Sequence, residues 1–64
     1  MILKTNSNAN FKLELKLDVN YELEYINVLV ELMNLKNRRV QLKQFHTDFK
    51  SALEQYRQWE EFVF

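Results

Sequence analysis

Apolar and polar residues alternate strictly between Phe11 and Tyr25. Every odd position in this segment is apolar, namely Phe11, Leu13, Leu15, Leu17, Val19, Tyr21, Leu23 and Tyr25. Because successive side chains of a strand point to opposite sides of a sheet, this period of two predicts an extended segment with one apolar face. A strand over the whole segment would span roughly 50 Å, far more than the usual strand length, so we expect a break within it.

The break can be made in two ways, which lead to different folds. In the first, residues 18–20 form a hairpin loop with Asn20 in the left-handed conformation. In the second, Asn20 caps a helix, and the polar residues that follow recur at a spacing of three and four, namely Glu24, Asn27, Glu31, Asn34 and Arg38. The helix explains more residues, and its acidic start and basic end suit the helix dipole. We therefore predict a strand at 11–18 followed by a helix at 20–36.

The C-terminal part of the chain has the strongest helical pattern. Its apolar residues step by three and four along the sequence, namely Leu42, Phe45, Phe49, Ala52, Tyr56, Trp59 and Val63. This spacing predicts an amphipathic helix from about 40 to 62. The junction between the two helices is either a tight corner with Asn37 in the left-handed conformation or a bend in one long helix, and we favour the corner.

The predicted fold is therefore α+β with the order β-α-α, a short N-terminal strand followed by two helices, in a single small domain of residues 1–64. A polar stretch at 6–10 separates the strand from a stub at 2–5, which is either paired with it as a β-hairpin or a frayed end. A domain this small hides only about 60% of the surface that its unfolded chain exposes. Since there is no cysteine to form disulfides, we expect association, either as a homodimer or with a protein partner.

Composition also excludes several classes of function. The chain has no cysteine and no glycine, and His46 is its only histidine, so we expect no metal site, nucleophile-base pair or phosphate-binding loop. We predict a non-enzyme without a cofactor or small-molecule substrate. The nine basic and nine acidic residues cancel, and no apolar run approaches the length of a membrane span. We expect no membrane contact and a cytoplasmic location, in the host cytoplasm if a phage encodes the protein.

Aromatic residues and arginines in the second half of the chain indicate protein binding, since both are enriched at interfaces. The candidate contact residues are Arg38, Arg39, Tyr56, Trp59, Phe62 and Phe64. We expect a small non-enzymatic regulator or inhibitor that acts by direct contact with a protein whose identity the residues do not encode. By analogy of size, composition and lack of catalytic motifs, it is of the type that phages and mobile elements encode against host machinery, for example anti-CRISPR proteins.

A strand followed by two helices in a chain that dimerises also resembles the ribbon-helix-helix DNA-binding family, over residues 11 to about 55. The resemblance implies a dimeric transcriptional regulator or antitoxin whose paired strands lie in the major groove of DNA. Side chains on the even face of the strand would then read bases, and cations near the second helix would hold phosphates. The nucleic-acid-binding residues implied in this way are Lys12, Glu14, Lys16, Arg38, Arg39 and Lys43.

Overall fold

An antiparallel sheet of four strands and one C-terminal helix make up the computed structural model, which describes residues 1–64. The elements in chain order are β1 (Ile2–Ser7), β2 (Phe11–Asn20), β3 (Tyr25–Asn34), β4 (Arg39–His46) and α1 (Phe49–Val63). The strands lie in the sheet in the same order, so that each one is hydrogen-bonded to its neighbours along the chain. The predicted β-α-α order is wrong, and the observed order is β-β-β-β-α.

The segment predicted as a helix at 20–36 forms the second half of a long hairpin instead. Strand β3 pairs with β2 along its whole length, and the apolar pairs that face each other are Leu13 with Leu32, Leu15 with Val30, and Leu17 with Val28. The β-branched Val28 and Val30 favour a strand. Pairing also buries them against the alternating face of β2, whereas the dipole and capping signals of the predicted helix are worth about 1 kcal/mol or less each.

The helix predicted at 40–62 begins nine residues later, at Phe49. Asp48 has extended backbone angles, and its carboxylate accepts a hydrogen bond of 2.8 Å from the backbone N–H of Ser51. This is the geometry of an N-cap, which ends the regular helix on its N-terminal side. The apolar residues between 40 and 45 that extended the helical pattern belong to β4, where all of them remain exposed.

Two four-residue turns connect the three longer strands, and both use a left-handed residue other than glycine. The turn at 21–24 ends with Glu24 at φ 53°, and the turn at 35–38 ends with Arg38 at φ 56°. Each follows an asparagine whose side-chain oxygen accepts a backbone hydrogen bond, from Leu23 to Asn20 and from Lys36 to Asn34. Asparagine therefore starts each turn, and the left-handed position falls four residues later and not on Asn20 or Asn37.

Helix α1 covers one face of the sheet and builds the core there. The buried residues of this core are Leu13, Leu15, Val28, Val30, Leu32, Ala52 and Tyr56. On the β1 side the helix is held by a hydrogen bond of 3.1 Å from Asn6 Nδ2 to Glu60 Oε2. On the β4 side His46 Nε2 lies 3.0 Å from Gln55 Oε1. The helix thus crosses the sheet and ties both edge strands to it.

Tyr56 is the largest side chain in the core and is fully buried. Its hydroxyl group has no hydrogen-bond partner, although Lys4 Nζ lies 5.4 Å from the centre of its ring. Burial raises the pKa of Tyr56 above its usual 10.0, and the Glu60 carboxylate acts in the same direction. The Tyr56 hydroxyl therefore has no hydrogen bond of regular geometry to offset its burial, although the Glu60 side chain interacts with it.

The accessible surface of the molecule is larger than that of a compact protein of the same mass. Its accessible surface is 4775 Å² and its radius of gyration is 12.0 Å, whereas a compact protein of this size has about 4,400 Å² and about 10.7 Å. The excess reflects an elongated shape of 36 × 23 × 15 Å. No helix has the length and apolar character needed to cross a membrane.

Replacing Tyr56 by Phe should leave the free energy of unfolding unchanged or raise it by up to about 1 kcal/mol, because the ring stays packed while the unpaired hydroxyl is removed. Thermal denaturation followed by circular dichroism measures the effect, and 1 kcal/mol corresponds to roughly 4–8 °C in a domain of this size. Tyr56→Ala is the control and should lose about 3–5 kcal/mol. A marked loss of stability in Tyr56→Phe would show that the hydroxyl is bonded in the folded state.

Replacing Asp48 by Asn should reduce the acid sensitivity of the fold. The hydrogen bond from the Ser51 backbone lowers the pKa of Asp48, so its stabilising effect is complete above the unfolded value of 3.8 and is lost as pH falls through the lowered pKa. Asparagine keeps the cap but does not titrate. The melting temperature of Asp48→Asn should therefore fall less than that of the unmodified protein below about pH 3.8, whereas Asp48→Ala should melt lower at every pH. Equal acid profiles for the Asn variant and the unmodified protein would contradict this account.

Candidate protein-binding surfaces

The hairpin of β2 and β3 projects beyond the strands on either side of it. Pairing of β1 with β2 ends at Lys16, and pairing of β4 with β3 ends at Val28. Residues 18–27, here called the arm, therefore pair only with each other, and no strand lies beside either outer edge. The backbone groups on these edges are free to bond another chain.

Apolar side chains at the end of the arm are exposed to an unusual degree. Tyr21 is 88% exposed, Leu23 70% and Ile26 63%. Ile26 lies opposite Val19, on the same face of the sheet as the core, but the helix does not cover it. Apolar side chains grouped at the end of a projection are typical of a contact surface and not of scattered surface residues.

The same side chains surround the only concavity found on the molecule. It has a volume of about 260 Å³, opens widely to solvent, and is lined by Val19, Asn20, Tyr21, Glu24, Tyr25 and Ile26. Pockets that bury a small molecule usually measure about 300–1,000 Å³ and enclose most of the ligand. The concavity on the arm is smaller and more open, and its size suits one or two side chains of another protein.

Charge is distributed unevenly between the two ends of the molecule. The arm carries Asp18, Glu22 and Glu24, and no lysine or arginine occurs between Lys16 and Lys36. The turn at 35–38 and the start of β4 carry Lys36, Arg38 and Arg39 without an acidic residue. Since these two groups lie at opposite ends of β3, a strand of roughly 33 Å, one end of the protein is acidic and the other basic.

Two glutamates lie side by side at the centre of the face that the helix leaves open. Glu14 is directly opposite Glu31 in the β2–β3 register, and their residues are only 4% and 7% exposed. Lys16 Nζ lies 3.5 Å from Glu14 Oε1 and 3.2 Å from Glu31 Oε1, and Lys12 Nζ lies 3.9 Å from Glu14 Oε2. Lys16 therefore holds together two carboxylates that would otherwise repel each other.

The two neighbouring carboxylates change the pKa of Lys16. Burial lowers its pKa, but the hydrogen bond to Glu31 and the charges of both glutamates raise it more, so that the pKa of Lys16 is above its usual 10.5. Lys16 is therefore protonated throughout the physiological range. The cluster is an ion-pair network, and we assign it a structural role.

Four of the six residues implied in DNA binding, Lys12, Glu14, Lys16 and Lys43, lie on this open face. Arg38 lies in the turn at 35–38, and Arg39 is the first residue of β4. The ribbon-helix-helix arrangement itself is absent, since β2 is bordered by β1 and β3 and has no free edge for a strand of a second chain. The fold implied by that resemblance is therefore wrong.

The six predicted protein-binding residues have different environments. Tyr56 is fully buried and forms no contact surface, whereas Trp59 is half-buried and packs against the core. Phe62 and Phe64 are exposed at the end of the helix, and Arg38 and Arg39 are exposed at the basic end. The arm was not among the predicted sites, although the alternation that continues through Tyr21, Leu23 and Tyr25 marks it.

Comparisons of the chain with protein-family models, curated proteins and solved structures find no match. The predicted analogy with phage-encoded inhibitors and anti-CRISPR proteins therefore has no support, and we withdraw it. No group of three or more His, Cys, Asp or Glu side chains is placed to hold a metal ion. The arm is the strongest candidate site that the geometry provides.

Replacing Lys16 by Met should destabilise the protein by about 2 kcal/mol, because it removes the cation between two nearly buried carboxylates and leaves only Lys12 beside Glu14. The stabilising effect of Lys16 is complete below pH 10.5 and is lost as pH rises through its raised pKa. The raised pKa of Tyr56 also makes stability fall above pH 10.0, because only the unfolded chain readily releases that proton. The two effects therefore have the same sign and need to be separated.

Urea denaturation in a Tyr56→Phe background isolates the contribution of the lysine. In this background, two proteins are compared, one with Lys16 and one with Met at this position. The free energy of unfolding of the protein with Lys16 should fall more steeply as pH rises above about 10.5. Lys50→Met, which removes an exposed lysine of the helix, is the matched control and should change stability little. If Lys16→Met lowers the free energy of unfolding no more than Lys50→Met does, the ion-pair cluster around Lys16 does not contribute to stability.

Proposed function

We propose that this protein acts without catalysis, by binding another protein through its arm. The observation that supports this function is the projection of residues 18–27 beyond both edge strands, with apolar side chains exposed at the tip. Beyond the four-stranded part of the sheet, the arm has only its own two strands to hold these side chains. Contact with a partner would remove the apolar side chains of the arm from water.

The chemistry of the arm indicates how a partner is held. Tyr21 and Leu23 are large, exposed anchors of the kind that contribute most to binding when they enter a pocket. The concavity beside them can receive one side chain of the partner in return. The unpaired backbone edges of the arm can add hydrogen bonds to an extended segment, as in other interactions that extend a sheet.

The partner surface that fits this site is apolar at its centre and basic around it. Asp18, Glu22 and Glu24 surround the apolar tip, and no cation lies nearby along the arm. Complementary charge accelerates association and excludes acidic partners. We place this interaction in the cytoplasm, because small domains outside the cell usually depend on disulfides and this chain has no cysteine.

Nucleic-acid binding has weaker support from the same geometry. On the open face, Lys12, Lys16 and Lys43 are accompanied by Glu14, Glu31 and Asp18, and the net charge of the chain is zero. Binding to nucleic acid depends mainly on neutralising phosphates with an excess of cations. The open face offers no such excess.

Replacing Tyr21 and Leu23 together by Ser should lower affinity for the partner at least about tenfold without lowering thermal stability, since both side chains are anchors at an exposed tip. The partner is first captured from the source cells with the immobilised protein and identified, and affinity is then measured by calorimetry with both proteins purified.

Phe62→Ser is the matched control, because Phe62 is 90% exposed and lies at the end of the helix, outside the arm. It should bind as the unmodified protein does. If Phe62→Ser abolishes binding and the Tyr21 and Leu23 variant does not, the contact surface is the end of the helix and the proposed function of the arm is wrong.

A further inference from the structure

The outer edge of β4 is a second unprotected surface, separate from the tip of the arm. Every residue from Arg39 to Phe45 is exposed, including the apolar Val40, Leu42 and Phe45 at 45%, 44% and 48%. β1, the other edge strand, is shorter, carries a bulge near its start, and places Lys4 and Asn6 against the helix. A long edge with apolar side chains on both faces is a template for pairing with another strand.

We propose that β4 pairs antiparallel with β4 of a second copy of this chain, giving a two-fold symmetric dimer with one continuous sheet of eight strands. In such a dimer the same edge serves both copies, which is the most common symmetry of soluble oligomers. The pairing satisfies the free backbone groups of both edges and covers the apolar side chains of β4. It rests on the exposed β4 edge and on the charges at the two ends of the protein, and not on the apolar contacts proposed for Tyr21 and Leu23.

Side-chain pairs across the interface favour one of two neighbouring registers, with either Gln44 or Lys43 on the two-fold axis. Residues 42–46 alternate regularly between the two faces, because the bulge of β4 falls between Val40 and Leu42. If Gln44 lies opposite itself on the two-fold axis, Lys43 faces Phe45 of the second copy, as a cation beside an aromatic ring. If Lys43 lay opposite itself, two like charges would meet directly, which is unfavourable.

This register also brings together the two oppositely charged ends of the protein. With Gln44 on the axis, Leu42 of the second copy faces His46, which itself lies opposite Val28 of β3. Further along β4 of the second copy, its Arg39 lies level with Ile26 of the first copy. The basic turn at 35–38 of the second copy then lies level with the acidic tip at 21–24 of the first. At that level the first copy has no fourth strand, so the arm faces the basic turn across a gap of roughly 10 Å.

Charge complementarity thus favours a second copy in this antiparallel arrangement. Each copy places Glu22 and Glu24 beside Lys36 and Arg38 of the other, and the contact occurs twice in the dimer. An arm-to-arm dimer would bring together two acidic groups without a cation and is disfavoured for that reason. Pairing through β4 provides hydrogen-bond partners for the edge, covers apolar side chains of β4 and brings opposite charges together.

A single introduced cysteine tests the proposed axis, because the natural chain has none. Residues directly opposite in an antiparallel pair have Cα atoms about 4.5–5.5 Å apart, which a disulfide can bridge. Gln44→Cys should form a covalent dimer under mild oxidation, while Thr5→Cys, an exposed residue of the β1 edge, should stay largely uncrosslinked. Equal crosslinking of the two variants would overturn the proposal.

Light scattering provides a test without any substitution. The unmodified protein should show twice the mass of the 7.9 kDa chain at low ionic strength, and a single-chain mass at every concentration would overturn the proposal. The double variants Glu22→Lys with Glu24→Lys, and Lys36→Glu with Arg38→Glu, should each dissociate more readily than the unmodified protein. An equimolar mixture of the two variants should recover the dimer, since every charge contact is again between opposite charges.

The experiments distinguish an incorrect dimer from an incorrect assignment of protein binding to the arm. Crosslinking at Gln44 reports only on the β4 edge and leaves Tyr21 and Leu23 unchanged. If the two charge variants do not recover a dimer on mixing, although each is folded by circular dichroism, the antiparallel arrangement is wrong even where the tip of the arm still binds its partner.

Discussion

The pairing of β2 with β3 is the interaction on which the rest of the structure depends. Its register places Leu13 against Leu32 and Leu15 against Val30 on one face, and these pairs form the surface that the helix covers. A slip by one residue would turn every side chain of one strand to the opposite face. The core, the central ion-pair cluster and the projecting arm all follow from this one register.

The two faces of that hairpin have different roles. The helix face contains the apolar core, whereas the open face holds Glu14, Glu31 and Lys16 in a charged cluster at its centre. The cluster is stable only when the two strands are aligned, because a shifted register would separate the cation from one of the carboxylates. Apolar burial on one side and charge pairing on the other therefore favour the same alignment.

Part of this structure could be predicted from the sequence. The alternation of residues 11–25 correctly indicates a strand from Phe11, and the spacing of Ala52, Tyr56 and Trp59 correctly indicates the C-terminal helix. The error lies in 20–36, where a polar spacing typical of a helix coexists with β-branched residues. Local preferences do not resolve that ambiguity, because the residues of β3 form a strand only when they pair with β2.

The strand order has a consequence for how the protein reaches this structure. Each strand pairs with its neighbour in sequence, so the sheet forms through three hairpins closed by short turns, without long loops. Local contacts of this kind favour rapid folding. The hydrogen bond with the largest sequence separation joins Asn6 and Glu60, and it brings the two ends of the chain together. Docking of the helix is therefore the step with the largest loop to close, and the sheet can assemble before it.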